Sequence, residues 1–300
     1  MEKYIAPDRK RIPYGMMNFA VIRRDDCYYV DKTRFIPMIE EADKFFFFIR
    51  PRRFGKSLTV NMLQHYYDIL AKDKFEALFG DLYIGKHPTR DRNSYLVLYL
   101  NFSGIVGELH NYRKGLDAHC QTMFDYFCDI YADYLPKGIK EELDKKEGAV
   151  EQFEYLFTEC NKTNQRIYLF IDEYDHFTNA ILSDIESLHR YTDETHGEGY
   201  LRAFFNKIKA GTYSSIERCF ITGVSPVTMD DLTSGFNMEE QSMFAAINRL
   251  PDTYRTALYL HYYEGYSFKE IAKMLHLSVS AVSMRISRGR DQLKEFLKEE

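Results

Sequence analysis

Short apolar runs recur along most of the chain, at Phe45 to Ile49, Tyr95 to Phe102, Ile167 to Ile171 and Cys219 to Thr222. Each is β-prone and of strand length. Between them, Lys56 to Ala71 and Gly115 to Leu135 repeat their apolar positions at the helical period, and Lys137 to Gly148 is charged, as in a surface helix or loop. Strand alternating with helix predicts an α/β fold, a parallel sheet with flanking helices. From Met238 to Glu300 the strand signal is gone. Four helix-like segments follow one another, punctuated by Pro251, Gly265 and a turn at His276-Leu277. The pattern predicts two domains, residues 1–237 and a small all-α domain at residues 238–300.

Composition adds bulk but little direction. A chain of 300 residues, 45% hydrophobic and 16% aromatic, buries a real core. The net charge of −5 gives no chain-wide attraction to nucleic acid or membrane, so a basic contact surface has to be local. Cys27, Cys120, Cys128, Cys160 and Cys219 are scattered, with no CxxC spacing, which predicts reduced thiols in the cytoplasm. The nine histidines show no HExxH spacing, and His119, Cys120 and Cys128 read as packing, so no zinc is expected. The start Met1-Glu2-Lys3-Tyr4 has no apolar leader and the run at Phe45 is too short to span a bilayer, so no membrane partner is expected.

Chemistry enters after the first strand. Arg50-Pro51-Arg52-Arg53-Phe54-Gly55-Lys56-Ser57-Leu58 joins that strand to a helix, the setting of a phosphate-binding P-loop. Such a loop turns backbone N–H groups toward phosphate at a helix N-terminus, extends a lysine to the terminal phosphates and offers a hydroxyl to magnesium. Gly55, Lys56 and Ser57 supply these parts, although Arg50 stands where the usual pattern starts with glycine. The third run ends in Asp172-Glu173, delivering two carboxylates at the C-terminal edge of a parallel sheet, where ligands bind. In the Walker B reading Asp172 holds Mg2+ through water or the Ser57 hydroxyl, and Glu173 is the general base that polarises the attacking water. The fourth run ends at Thr222, a polar residue that would sense the γ-phosphate of ATP.

Ile12-Pro13-Tyr14-Gly15, Tyr29-Val30-Asp31-Lys32-Thr33, the loop from Arg50 to Ser57, Asp172-Glu173-Tyr174-Asp175 and Thr222-Gly223-Val224-Ser225-Pro226 together resemble the AAA-ATPase-like family over residues 1 to about 237. The resemblance implies a P-loop NTPase that uses ATP and Mg2+, and that Arg50 is a family feature. It also implies a following nuclease-like domain of the PD-(D/E)xK type, in place of which the all-helical tail stands.

The tail has its own logic. Ser267-Phe268-Lys269-Glu270 is a capping box that starts a helix at Phe268, and Ser278 caps a second helix after the turn. This is a helix-turn-helix. In the second helix Val282, Ile286, Gly289 and Leu293 share one face, leaving Ser280, Met284, Ser287 and Arg288 outward, with Arg285 and Arg290 near the edges. Outward residues of such a helix meet the DNA major groove. Leu250-Pro251, Tyr254 to Gly265, Ser267 to Leu275 and Val282 to Arg290 resemble region 4 of sigma-70-family transcription factors. That resemblance implies DNA as a partner, contact with RNA polymerase, and DNA contacts by Arg285, Arg288 and Arg290; Ser283 stands where the family commonly has lysine. Two readings follow: an ATP-hydrolysing switch placed on DNA by its tail, or a non-enzymatic DNA-binding regulator with an inert ATPase half. The first is the working expectation.

Overall fold

The computed structural model describes residues 10–51, 54–105, 112–176, 200–224, 250–262 and 266–296. The elements used below are α1 Phe19–Arg24, α2 Ile36–Glu41, β1 Phe45–Ile49, α3 Lys56–Tyr67, β2 Leu96–Asn101, α4 Tyr112–Ile130, α5 Gly148–Lys162, β3 Ile167–Asp172, α6 Tyr200–Gly211, β4 Ile216–Gly223, α7 Asp252–Tyr262, α8 Phe268–Met274 and α9 Val279–Phe296. By compactness the chain forms two units: Met1–Phe48, Gly55–Tyr174 and Lys207–Thr222 in one, Ile49–Phe54, Asp175–Asn206 and Gly223–Glu300 in the other. The boundary expected between residues 237 and 238 lies outside the described residues.

Among the described residues four strands form one sheet in the order β1-β4-β3-β2. β3 pairs in parallel with β2, Leu96 beside Ile167 through Asn101 beside Asp172, and with β4 on its other side. β1 runs the same way beside β4: Cys219 N–H donates to the Lys44 carbonyl at 2.7 Å and Arg50 N–H to the Gly223 carbonyl at 3.2 Å. The expected parallel α/β sheet is therefore present. β3 is buried along its whole length, as a central strand covered on both faces must be. One covering layer is α3, whose Val60, Leu63, Tyr66 and Tyr67 are at most 1% exposed and cluster with Tyr168, Phe170 and Phe220 of the strands. Tyr168 and Phe170 stack with ring centroids 4.4 Å apart.

Several boundaries differ from the sequence pattern, α4 among them at Tyr112–Ile130 in place of Gly115 to Leu135, and two have a clear local reason. The helix expected to reach Ala71 stops at Tyr67, because Asp68 turns extended and its carboxylate caps Leu70 N–H at 2.9 Å to start a 3-10 turn. β4 starts at Ile216, three residues before the apolar run at Cys219, because Ile216 already pairs with Ile167 of β3, and the polar Arg218 within the strand is satisfied by donating its guanidinium to the Glu40 carbonyl at 2.6 Å. The charged stretch from Lys137 carries a short helix, Ile139–Leu143, with both named residues buried. All five cysteines are free and buried, and burial pushes the Cys120, Cys160 and Cys219 thiols well up, with Cys128 raised to about 12. No described helix is long and apolar enough to cross a membrane.

The C-terminal helices build a core of their own from Leu250, Ala257, Leu258, Ile271, Ala272, Val282 and Ile286. The capping box at the start of α8 is complete: the Ser267 hydroxyl accepts from Glu270 N–H at 3.4 Å and the Glu270 carboxylate from Ser267 N–H at 2.8 Å. α8 ends with His276 at φ 51, Leu277 N–H returning to the Ala272 carbonyl at 2.8 Å and His276 N–H to the Lys273 carbonyl at 3.4 Å. That is a Schellman close, with histidine where glycine is usual. Ser278 then caps α9, accepting from Ala281 N–H at 3.1 Å.

Gly289, in the interior of α9, has a packing reason. A Cβ there would lie 2.7 Å from Leu258 Cδ1 and 3.2 Å from Tyr254 Cβ. Alanine gains ~1 kcal/mol over glycine in a helix interior, but overpacking costs ~1–3 kcal/mol. Gly289→Ala is expected to lower the urea-unfolding midpoint of the C-terminal helices; an unchanged or higher midpoint contradicts the close approach of α7 and α9.

Candidate functional site

α3 opens at Gly55, its N-cap, with φ 75 and ψ 22. This is left-handed backbone, which glycine adopts without a Cβ penalty. Space is not the constraint, since a Cβ at Gly55 would meet nothing within 4 Å. The loop end is pinned from inside the helix: the Thr59 N–H and hydroxyl both donate to the Gly55 carbonyl at 3.0 Å. Lys56 is buried at 8% exposure, Ser57 and Leu58 are half-buried, and Phe54 is 63% exposed. Arg50 is exposed and Pro51 half-buried; Arg52 and Arg53 lie outside the described residues.

Asp172 ends β3 and is 1% exposed. A buried carboxylate needs donors, and it has three. Its Oδ1 accepts from the Thr222 hydroxyl by a short bond and from Glu173 N–H at 3.1 Å, and its Oδ2 from the Tyr99 hydroxyl at 3.3 Å. Burial first, then the Asp172 charge, push the Tyr99 hydroxyl well above its usual pKa, so Tyr99 remains a donor. Thr222 is fully buried at the end of β4, and its carbonyl accepts from Tyr174 N–H at 3.0 Å. Glu173 takes φ 54, a left-handed conformation that costs a non-glycine residue ~1–3 kcal/mol and gathers at functional sites.

The structure thus brings Asp172, Glu173 and Thr222 together in one hydrogen-bonded group. Sheet order adds meaning to Thr222: β4 lies between β1, which feeds the Gly55 turn, and β3, which ends in Asp172. All three C-terminal strand ends lie at the edge where parallel sheets bind ligands. A larger charged concavity of about 620 Å³ is at the other end of these strands, where Asp91 lies 3.8 Å from Arg166 and 3.7 Å from Arg218 and offsets their charge.

Two residues escaped the sequence reading. Tyr99 was reachable, because β2 alternates buried and half-buried positions and puts Val97, Tyr99 and Asn101 on one side, leading to its C-terminal edge. Asp175 is 1% exposed and accepts from Val224 N–H at 2.7 Å; no apolar pattern marks such a bond.

In the tail, Val282 and Ile286 are buried at 0% and 3% and Gly289 is buried, as the face predicts; the Leu293 side chain lies outside the described residues. Ser280, Ser283, Met284, Ser287, Arg288 and Arg290 are exposed and Arg285 is half-buried. The Ser280 hydroxyl lies 2.9 Å from that of the Ser278 cap, which engages it locally. α9 carries Arg285, Arg288, Arg290 and Lys294 against Asp291 and Glu295, a balance of four minus two, or +2, within a chain of net −5.

Comparison with known proteins matches both parts. Residues 240–293 match the profile described as sigma-70, region 4. Over 53 residues this part is 43% identical to RNA polymerase sigma factor SigZ of Bacillus subtilis (strain 168), covering 18% of this chain and 30% of that protein. It is 42% identical over 53 residues to ECF RNA polymerase sigma factor SigW of the same strain, covering 18% and 28%. Over 230 residues the chain is 28% identical to an uncharacterized protein in the vnfD 5′ region of Azotobacter chroococcum mcd 1, covering 76% of this chain and 40% of that protein. The chain therefore spans two fifths or less of each of these relatives. The profile described as predicted AAA-ATPase matches residues 13–233, well over half of the chain, and the chain belongs to that family.

Proposed function

We propose that this protein binds ATP with magnesium at the Gly55 turn, hydrolyses it there, and is placed on DNA by its C-terminal helix-turn-helix. The observation that carries the reading is the pairing of a left-handed Gly55 before a buried Lys56 with the Asp172, Glu173 and Thr222 group at the adjoining strand ends. The N–H groups from Gly55 to Leu58 and the Lys56 ammonium face phosphate, at a helix end whose dipole favours anions. One hydroxyl, Ser57, and one oriented carboxylate, Asp172, suit magnesium, which keeps most of its water and takes one or two protein ligands beside phosphate oxygens. When bound, that ion neutralises charge on the phosphates. Glu173 orients and deprotonates the attacking water, and Thr222, tied to Asp172, reports the terminal phosphate to β4.

For the tail, Ser280, Ser283, Met284, Ser287, Arg288 and Arg290 face the major groove, with Arg285 at the edge. The sigma-factor relatives support RNA polymerase as a further partner. Calorimetric titration of the full chain with ATP and magnesium tests the first half: saturable binding at one site per chain is expected. No heat from folded protein would overturn it and leave the helix-turn-helix as the functional part.

A further inference from the structure

Two N-terminal motifs have no role in the chemistry above, the segment at Ile12-Pro13 and the run Tyr29-Val30-Asp31-Lys32-Thr33. They meet at one place. A cavity of about 250 Å³ is lined by Ile12, Pro13, Tyr28 and Val30 together with Gly55, the N-cap of α3, and Thr59 of its first turn. Whole-ligand pockets run to ~300–1,000 Å³, so this volume suits a subsite for part of a ligand.

The walls are fixed before any ligand arrives. Tyr28 N–H donates to the Arg11 carbonyl at 2.9 Å, which holds the two segments side by side. The Asp31 carboxylate accepts from Thr33 N–H at 2.8 Å, from the Thr33 hydroxyl at 2.6 Å and from Tyr83 N–H at 2.8 Å, anchoring the second motif. The Tyr29 ring packs edge-on against Phe19, centroids 5.3 Å apart. Yet Ile12, Tyr28 and Val30 are 76%, 58% and 58% exposed. Apolar side chains held in a rigid concavity but still wet mark a binding surface.

The occupant follows from continuity, because Gly55 both lines this cavity and begins the helix whose first turn faces phosphate in the reading above. We propose that the cavity takes the base and ribose of the bound nucleotide, so that the two N-terminal motifs distinguish a nucleoside triphosphate from its bare phosphate chain. This inference rests on the phosphate site at Gly55 to Ser57. A flat ring buries the exposed faces of Tyr28, Ile12 and Val30, while the phosphates continue past Gly55.

The test compares ATP with inorganic tripolyphosphate, each with magnesium, on the full chain and on Tyr28→Ala, Ile12→Ser and Lys56→Ala. Wild type is expected to bind ATP at least tenfold more tightly than tripolyphosphate. Tyr28→Ala and Ile12→Ser are expected to weaken ATP roughly tenfold, the scale of one base stacked on an aromatic ring, and to leave tripolyphosphate affinity unchanged. Both side chains are outside the core, so the melting temperature should hold. Equal affinity of wild type for the two ligands, equal weakening of both ligands in the variants, or unchanged ATP affinity in them overturns the base subsite. If Lys56→Ala still weakens both ligands in that case, the phosphate site stands without it. If wild type binds neither ligand, both readings fall.

Discussion

Replacing Glu173 with glutamine is expected to cut ATP turnover by roughly 10²- to 10⁴-fold, the usual contribution of a positioned general base, with ATP affinity unchanged. The substitution isolates chemistry from architecture. The Glu173 backbone is held left-handed at φ 54, with its N–H on Asp172 at 3.1 Å and 3.5 Å from the Thr222 hydroxyl. Glutamine keeps the side-chain volume and carries the same backbone strain, so only the carboxylate is lost. Lys56→Ala should do the reverse at the binding step: losing a charge-assisted contact worth ~1.5–3 kcal/mol weakens ATP roughly 10- to 150-fold. Steady-state turnover and equilibrium titration of the two variants separate the roles. Turnover retained in Glu173→Gln overturns the general-base assignment, and affinity retained in Lys56→Ala overturns the phosphate assignment.

The elements of this site were legible one at a time, and their arrangement was not. Apolar runs marked β1, β3 and the end of β4, and β3, buried along its whole length, is apolar because both its faces are covered. Gly55-Lys56-Ser57 and Asp172-Glu173 were visible because each sets charged and polar residues directly after an apolar strand run, at the edge where parallel sheets bind ligands. What no local pattern encodes is that β4 inserts between β1 and β3, which gives Thr222 its hydrogen bond to Asp172. Sheet order is decided by which faces bury together, a property of the whole sheet. The left-handed Glu173 was equally hidden, since nothing in a glutamate's neighbours announces a positive φ. In the tail the balance differs. Contacts in a helix-turn-helix are close in sequence, so the capping box, the turn at His276 and the face of Val282 and Ile286 could be read directly, while the fit of Gly289 against Leu258 could not.

A double change of Arg285 and Arg288 to alanine is expected to flatten the salt dependence of DNA binding by the full chain. Each phosphate contact removed lowers the slope of log K against log salt by ~0.9, so the pair should lower it by about 2 and weaken binding roughly 10²-fold at low salt. The reasoning is electrostatic. A chain of net −5 is repelled by DNA as a whole, so the +2 of α9 has to act at short range, through the exposed Arg288 and Arg290 and the half-buried Arg285. Val282 and Ile286 hold the opposite face in the core, and a melting temperature measured on the double variant checks that the half-buried Arg285 can be removed without loss of packing. Ser283→Lys supplies the opposite sign at an exposed position of the same helix, and should steepen the slope by about 0.9 and tighten binding. Slopes that move in opposite directions for the two changes can arise only if this face of α9 lies against the phosphate backbone. A slope unmoved by either would transfer DNA contact away from α9 and leave the tail as a surface for protein partners.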